Sequence, residues 1–172
     1  MSRSLSRREL PLCLASLYLG SDLLPRALAH GSDDVTRNDE AIHQVVTFNA
    51  TAKRVYDALT DPVQFTRMTT FSTVKNAPPA IIGKAAGDSF SLFAGHIVGR
   101  HLDLVPSQRI VQAWRVANWD AGVYSIARFE LAERGGQTTI SFEHRAFPNG
   151  EAQHLAEGWT ANYWDPLKKH LG

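Results

Sequence analysis

Glu151-Ala-Gln-His-Leu-Ala-Glu-Gly-Trp-Thr-Ala-Asn-Tyr-Trp-Asp-Pro-Leu-Lys-Lys-His-Leu171 closes the chain. Leu155, Trp159, Asn162, Tyr163, Leu167 and Leu171 recur at helical spacing, so one stripe of this helix is mostly apolar. Trp159, Tyr163 and Trp164 put three large aromatics on it, and the inner stripe takes Trp159 and Tyr163 but leaves Trp164 off. Pro166 lacks a backbone donor and predicts a kink or an end in the last turns. The residues before this helix read as strand, which predicts a long helix packed on a curved sheet.

Working back from the helix, Phe147-Pro148-Asn149-Gly150 breaks the preceding sheet. Thr138 to Ala146 alternates, with Ile140, Phe142 and His144 on one face. Gly135-Gly136 is a hairpin signal, and Val123 to Glu133 carries Ala127, Phe129 and Leu131 on one face. Further strands are predicted at Ser89 to Phe93, His96 to Val105 and Ile110 to Ala117, the last carrying Trp114. Near the start, Ile42 to Phe48 alternates, with Ile42, Gln44, Val46 and Phe48 together. Thr51 is a helix cap candidate, followed by Val55, Ala58 and Leu59 at helical spacing. Thr60-Asp61-Pro62 stops that helix and starts a second one bearing Phe65 and Met68. The fold class is therefore α+β, with strands and helices segregated.

Composition narrows the function classes. The chain has 172 residues, 44% hydrophobic and 20% charged, which suits one globular domain. A formal charge of +1 gives no pull toward nucleic acid or a membrane surface, and no apolar run is long enough for a stable membrane anchor. The single cysteine, Cys13, leaves no internal disulfide and no multi-cysteine metal site.

Residues 1–29 differ in character. Ser6-Arg7-Arg8-Glu9-Leu10 resembles a twin-arginine export motif, Leu10 to Gly20 is a short apolar stretch, and Ala27-Leu28-Ala29 suits signal cleavage before His30. The expectation is a signal peptide over 1–29, a flexible arm over 30–40, a domain over 41–172 and a periplasmic or secreted location. Pro11, Asp22 and Pro25 weaken the apolar core of such a signal and suit an N-terminal extension of a cytoplasmic protein instead. The segment holds four arginines and two acids, so its loss would turn the net charge from +1 to −1.

Ala58-Leu59-Thr60-Asp61-Pro62, Gly83 to Asp88, Val105-Pro106 with Arg109-Ile110-Val111, Trp114-Arg115, Gly135-Gly136-Gln137-Thr138, and Gly158-Trp159 followed by Leu167 come in an order that resembles a known family. The chain resembles the SRPBCC, or START-like, superfamily, and within it the family of the C-terminal domain of the activator of the heat-shock-protein-90 ATPase. The resemblance covers Ala41 to Leu171. It implies a helix-grip fold, with seven antiparallel strands around the C-terminal helix. Six strands are read above, and the seventh is expected over Met68 to Lys75. Where the family often has a Trp after the Asp-Pro, this chain has Phe65, Thr66, Arg67 and Met68.

Such a fold implies a cavity between sheet and helix. Phe65, Met68, Phe93, Trp114, Phe129, Phe142, His144, Trp159 and Tyr163 are its expected ligand-binding lining. Plain core packing is the competing reading for each. Arg115, His144 and Tyr163 are candidates for orienting a ligand's polar end, with Arg115 on the strand face opposite Trp114. His96 and His101, read in one strand, face opposite sides, so no metal site is expected; nor is a cofactor. Gly-x-Ser-x-Gly is absent, Asp120 beside Trp119 could do acid–base work but reads better as a surface residue, and Glu143 and His144 point to opposite sheet faces, so no catalytic residue is named. The expected function is binding of a small hydrophobic or aromatic molecule. A cyclase or aromatase type of enzyme, as found in the superfamily, and a co-chaperone-like interaction module are the alternatives.

Overall fold

A computed structural model of the protein describes residues 40–172. The expected export signal and nearly all of the expected arm lie outside the described residues. β1 (Ala41–Phe48) leads into α1 (Ala52–Thr60) and α2 (Pro62–Thr69). β2 (Ile81–Ile82), β3 (Ser89–Leu92), β4 (Ile97–Val105), β5 (Arg109–Val116), β6 (Ser125–Arg134) and β7 (Gln137–Arg145) follow. The chain closes with α3 (Ala152–Trp159), a π-helical turn (Thr160–Trp164) and α4 (Asp165–Leu171). All strands join one antiparallel sheet in the order β1-β7-β6-β5-β4-β3-β2. This is the α+β helix-grip arrangement, with the sheet curved around the closing helix.

Alternation sets the inner face. Ile110, Gln112, Trp114 and Val116 of β5 are buried, as are Ser125, Ala127, Phe129 and Leu131 of β6 and Thr138, Ile140, Phe142 and His144 of β7. In β4 the register shifts between His101 and Asp103. Leu102 is the bulged residue and is 47% exposed, and the bulge lets His101 and Leu104 both face inward opposite Gln112 and Ile110.

The two short helices are capped as their sequence requires. Thr51 Oγ1 accepts from the Arg54 amide, and Asp61 Oδ1 accepts from the Val63 and Gln64 amides at 3.0 Å, with Pro62 filling the first helical position. Val55, Ala58, Leu59, Phe65 and Met68 are all buried.

The seventh strand is not over Met68 to Lys75. Met68 continues the buried stripe of α2, and the amides of Thr70, Phe71 and Ser72 bond back to the carbonyls of Arg67, Met68 and Thr69. The Thr69 and Thr70 hydroxyls bond back in the same way. Hydroxyls that can satisfy helical carbonyls outweigh the strand composition of this segment. The seventh strand is β2, two residues long, pairing Ile81 with Ser91 and Ile82 with Phe90.

The closing helix departs from a plain α-helix at the π turn. A strict four-residue spacing overshoots a full α turn by about 40°. Over the four steps from Leu155 to Leu171 that would carry the stripe about 160° around. The wider turn absorbs this drift, and Leu155, Trp159, Tyr163, Leu167 and Leu171 all stay buried. Pro166 explains where the turn falls: it has no amide for the Asn162 carbonyl, and the Asp165 amide bonds the Thr160 carbonyl, five residues back. The kink expected from Pro166 is thus a change of helical pitch.

Candidate functional site

The space between helix and sheet is filled at one end. Trp159 packs on Phe142 with ring centroids 4.5 Å apart, on Trp114 at 5.5 Å and on Phe129 at 5.7 Å. Trp164 is buried too, against Phe142 at 5.2 Å and stacked on Trp159 at 5.8 Å. This corrects its expected place off the inner stripe: the π turn rotates two consecutive residues, Tyr163 and Trp164, toward the sheet. The Trp164 indole N–H donates to Gln44 Oε1, and Gln44 Nε2 donates to the Ala156 carbonyl, so β1 holds the helix by one side chain.

His144 sits at the centre of this packing. Its Nδ1 accepts from the Trp159 indole N–H at 3.0 Å, which leaves the proton on Nε2. Nε2–H then donates to Ser125 Oγ at 2.7 Å, and Ser125 donates onward to the Trp114 carbonyl at 2.8 Å. The direction matters chemically. Ser125 receives a proton donor from His144 and spends its own hydrogen on a carbonyl, so the pair is wired opposite to a base that activates a nucleophile. Burial drives the imidazole pKa from 6.5 down to about 3, so His144 stays neutral.

The open space lies beside this packing, along α3 and the start of the π turn. A cleft of about 280 Å³ is lined by Phe93, Trp114, Trp119, Leu155, Trp159 and Tyr163 among others. Val74, Gly158 and Asn162 complete its sides, and His96, Asn118, Glu151 and His154 also line it. Phe93 is held at φ 50°, a left-handed conformation unusual for a bulky residue, and packs edge-on against Tyr163 at 5.6 Å and Phe65 at 5.7 Å.

Two polar atoms in this wall stand out. Trp114 Nε1 and the Tyr163 hydroxyl are buried without a hydrogen-bond partner. The indole N–H lies near enough to the phenol oxygen to favour the phenolate slightly, but the pair does not reach hydrogen-bond geometry. Burial dominates and pushes the Tyr163 phenol well above its usual range, so it keeps its proton.

Of the nine expected lining residues, Phe93, Trp114, Trp159 and Tyr163 line the cleft. Phe65, Met68, Phe129, Phe142 and His144 are core residues that do not. Arg115 faces away from the cleft. Its guanidinium donates to the carbonyls of Val116, Ala117 and Trp119 and lies over the Tyr124 ring at 5.5 Å. Through those carbonyls it fixes the turn that sets Trp119 edge-on against Trp114 at 5.6 Å. His96 is in the turn before β4, exposed at the cleft, whereas it was expected inside the strand; His101 is fully buried. Among the described residues, no three His, Cys, Asp or Glu side chains come together as a metal site.

Sequence reasoning missed the other lining residues, among them Val74, His96, Asn118, Trp119, His154 and Gly158. One signal was available: Gly158 interrupts a helix at a position whose Cβ would meet nothing within 4 Å. Asn162, the polar member of the apolar stripe, was another; its Oδ1 accepts from the Thr73 amide and hydroxyl and so anchors the loop carrying Val74.

A seven-stranded sheet gripping an aromatic C-terminal helix defines a START-like domain. A profile of the Activator of Hsp90 ATPase homolog 1-like proteins matches residues 49–172, and the chain belongs to that family. It is 27% identical over 132 residues to human Activator of 90 kDa heat shock protein ATPase homolog 1, covering 75% of this chain and 38% of that protein. The chain thus spans less than half the length of that relative. Among solved structures, PFC0360w, an HSP90 activator from Plasmodium falciparum, superposes with a TM-score of 0.69 at 24% identity, over 77% of this chain and 96% of that one. CalU16 from Micromonospora echinospora superposes with a TM-score of 0.63 at 22% identity, over 77% and 76% of the two chains.

Proposed function

We propose that the protein binds a small, mainly apolar molecule in the cleft between α3 and the β3–β4 and β5–β6 turns. The observation that carries this is the cleft itself: about 280 Å³ left open beside an otherwise close-packed interlayer, walled by Phe93, Trp114, Trp119, Trp159 and Tyr163. The size suits a ligand of one or two rings, at the lower end of the range for small-molecule sites. Gly158 supports the reading. Mid-helix glycine costs about 1 kcal/mol against alanine, and here no neighbour requires it, while a larger side chain would project into the cleft.

The test is titration of the wild type and Gly158→Leu with small aromatic probes, read by tryptophan fluorescence. Binding to the wild type and its loss in a folded Gly158→Leu protein support the reading. Native mass spectrometry of protein purified from its own host then gives the mass of a retained molecule. Absence of binding by any probe, together with no retained mass, removes the proposal.

The sequence likeness favours a second reading, a protein partner of the kind named for the human relative, a heat-shock ATPase. Purified protein added to an Hsp90 ATPase assay tests it, and an unchanged turnover rate counts against it.

A further inference from the structure

We infer that the molecule bound in the cleft is apolar at its inner end and carries a neutral hydroxyl at its outer end, held at the mouth by His96 of the β3–β4 turn and His154 of α3. This rests on the cleft being a binding site and adds which way round the ligand lies and what its polar end is.

The lining divides by depth. Every buried residue in it, from Phe93 and Ile97 to Leu155 and Tyr163, is apolar or aromatic. The buried aromatics that carry a polar atom do not offer it to the open space. The Trp159 N–H is spent on His144 Nδ1, and the Trp114 N–H and the Tyr163 hydroxyl have almost no surface that water could touch. A polar group on the inner end of a ligand would be stripped of water there and given no partner in return.

The polar lining is gathered where the cleft meets solvent. His96, Asn118 and His154 are all exposed, and Glu151, half-buried, stands one helical turn before His154. Among the described residues none of these four side chains is hydrogen-bonded, so they are free to meet a ligand. Asn162, also half-buried, has its carboxamide oxygen tied to Thr73.

The kind of polar end follows from these partners. An imidazole brings a donor and an acceptor, a carboxamide brings both, and a carboxylate only accepts. A hydroxyl donates and accepts, so it answers any pair of them. A carboxylate on the ligand has no hydrogen to give and faces the charge of Glu151. An ammonium has no lone pair for an imidazole or carboxamide N–H.

The experiment compares naphthalene, 2-naphthol and 2,6-dihydroxynaphthalene, which differ only in how many ends carry a hydroxyl. Calorimetric titration of the wild type is expected to show 2-naphthol bound roughly three- to tenfold more tightly than naphthalene, the value of one net hydrogen bond. The diol has to bury its second hydroxyl unpaired and is expected to bind roughly tenfold or more weakly than 2-naphthol. In His96→Ala/His154→Ala the advantage of 2-naphthol over naphthalene should disappear. 2-Naphthoate and 2-naphthylmethylammonium should both bind more weakly than 2-naphthol. A diol as tight as 2-naphthol, or an advantage that survives the double substitution, overturns the inference while leaving cleft binding standing. A charged probe tighter than 2-naphthol overturns the hydroxyl as the polar end. If none of the probes binds, the binding reading falls and this inference with it.

Discussion

Trp159 and His144 are joined across the helix–sheet interface by a 3.0 Å hydrogen bond in which the indole donates and the imidazole, through Nδ1, accepts. That one bond sets the tautomer of the histidine, the direction of the Ser125 bond behind it and the position of the largest side chain in the core. Protonating Nδ1 would place two donors nose to nose in a buried site. The interface is therefore built to work only with a neutral imidazole.

Acid should weaken the fold for this reason. The native His144 pKa is about 3 and the unfolded value about 6.5, so the unfolded chain takes up the proton first. The stability from the neutral ring is full above pH 6.5 and is lost as pH falls from there toward 3, by at most about 1.4 kcal/mol per pH unit. Buried His101 is shifted the same way, by desolvation, and adds to the slope. Urea unfolding across this range should show stability falling with pH in the wild type and a shallower fall in His144→Gln. Identical slopes would show that His144 is not the titrating group.

Gln44 ties β1 to the closing helix at two points, accepting from Trp164 and donating to Ala156. Gln44→Leu keeps the volume and strands both partners. A loss of about 1–3 kcal/mol is expected in chemical denaturation. A loss no larger than that of an exposed substitution such as Thr47→Val would show that the two bonds add nothing.

Gly158→Ala should raise the stability by about 0.5–1 kcal/mol, since the added methyl meets nothing and the helix gains propensity. The thermal midpoint reads this directly. A destabilised Gly158→Ala would mean that the helix needs glycine for its backbone rather than for the cleft.

Arg115 holds the β5–β6 turn by its forked donors, which lysine cannot reproduce. Arg115→Lys is expected to cost under about 1 kcal/mol, as for other partly exposed polar contacts. It should nonetheless broaden the Trp119 signal in fluorine NMR of fluorotryptophan-labelled protein, assigned with Trp119→Phe. An unchanged Trp119 signal would show that the turn holds itself.

Gly99 has no room for a side chain. A Cβ there would collide with the Ala113 carbonyl and the Phe90 ring across two strand pairings. Gly99→Ala should cost about 1–3 kcal/mol through forced separation of β3, β4 and β5. A near-neutral thermal midpoint would mean that Phe90 moves aside freely.

Most of the sheet could be read from alternation, because one face is buried and the other wet along β1, β5, β6 and β7. The cap at Thr51 and the helix start at Pro62 were legible for an equally local reason, whereas the capping role of Asp61 came only with the structure. The two residues of β2 are too few to show any period, so its place went to a segment of better strand composition. Trp164 was misplaced because the reading assumed one helical pitch throughout, and the π turn changes it. The site was half legible. The aromatics could be named, but which of them close on each other and which leave a gap depends on how Trp159 packs, a three-dimensional fit that no spacing encodes.

The π turn also makes the closing helix sensitive to residue count in a way that substitutions do not reveal. An α-helix advances about 100° per residue, and the π turn takes up one residue without that advance, so removing one residue between Thr160 and Trp164 would let the turn close as plain α-helix, whereas adding one would swing α4 by roughly that angle against α3. After such an insertion Leu167 and Leu171, now under α1 and α2, would rotate toward water while the sheet-facing half stayed in place. The helix thus behaves as two cylinders set in phase by a single extra residue, and the grip on its two halves is kept by chain length as much as by side-chain chemistry.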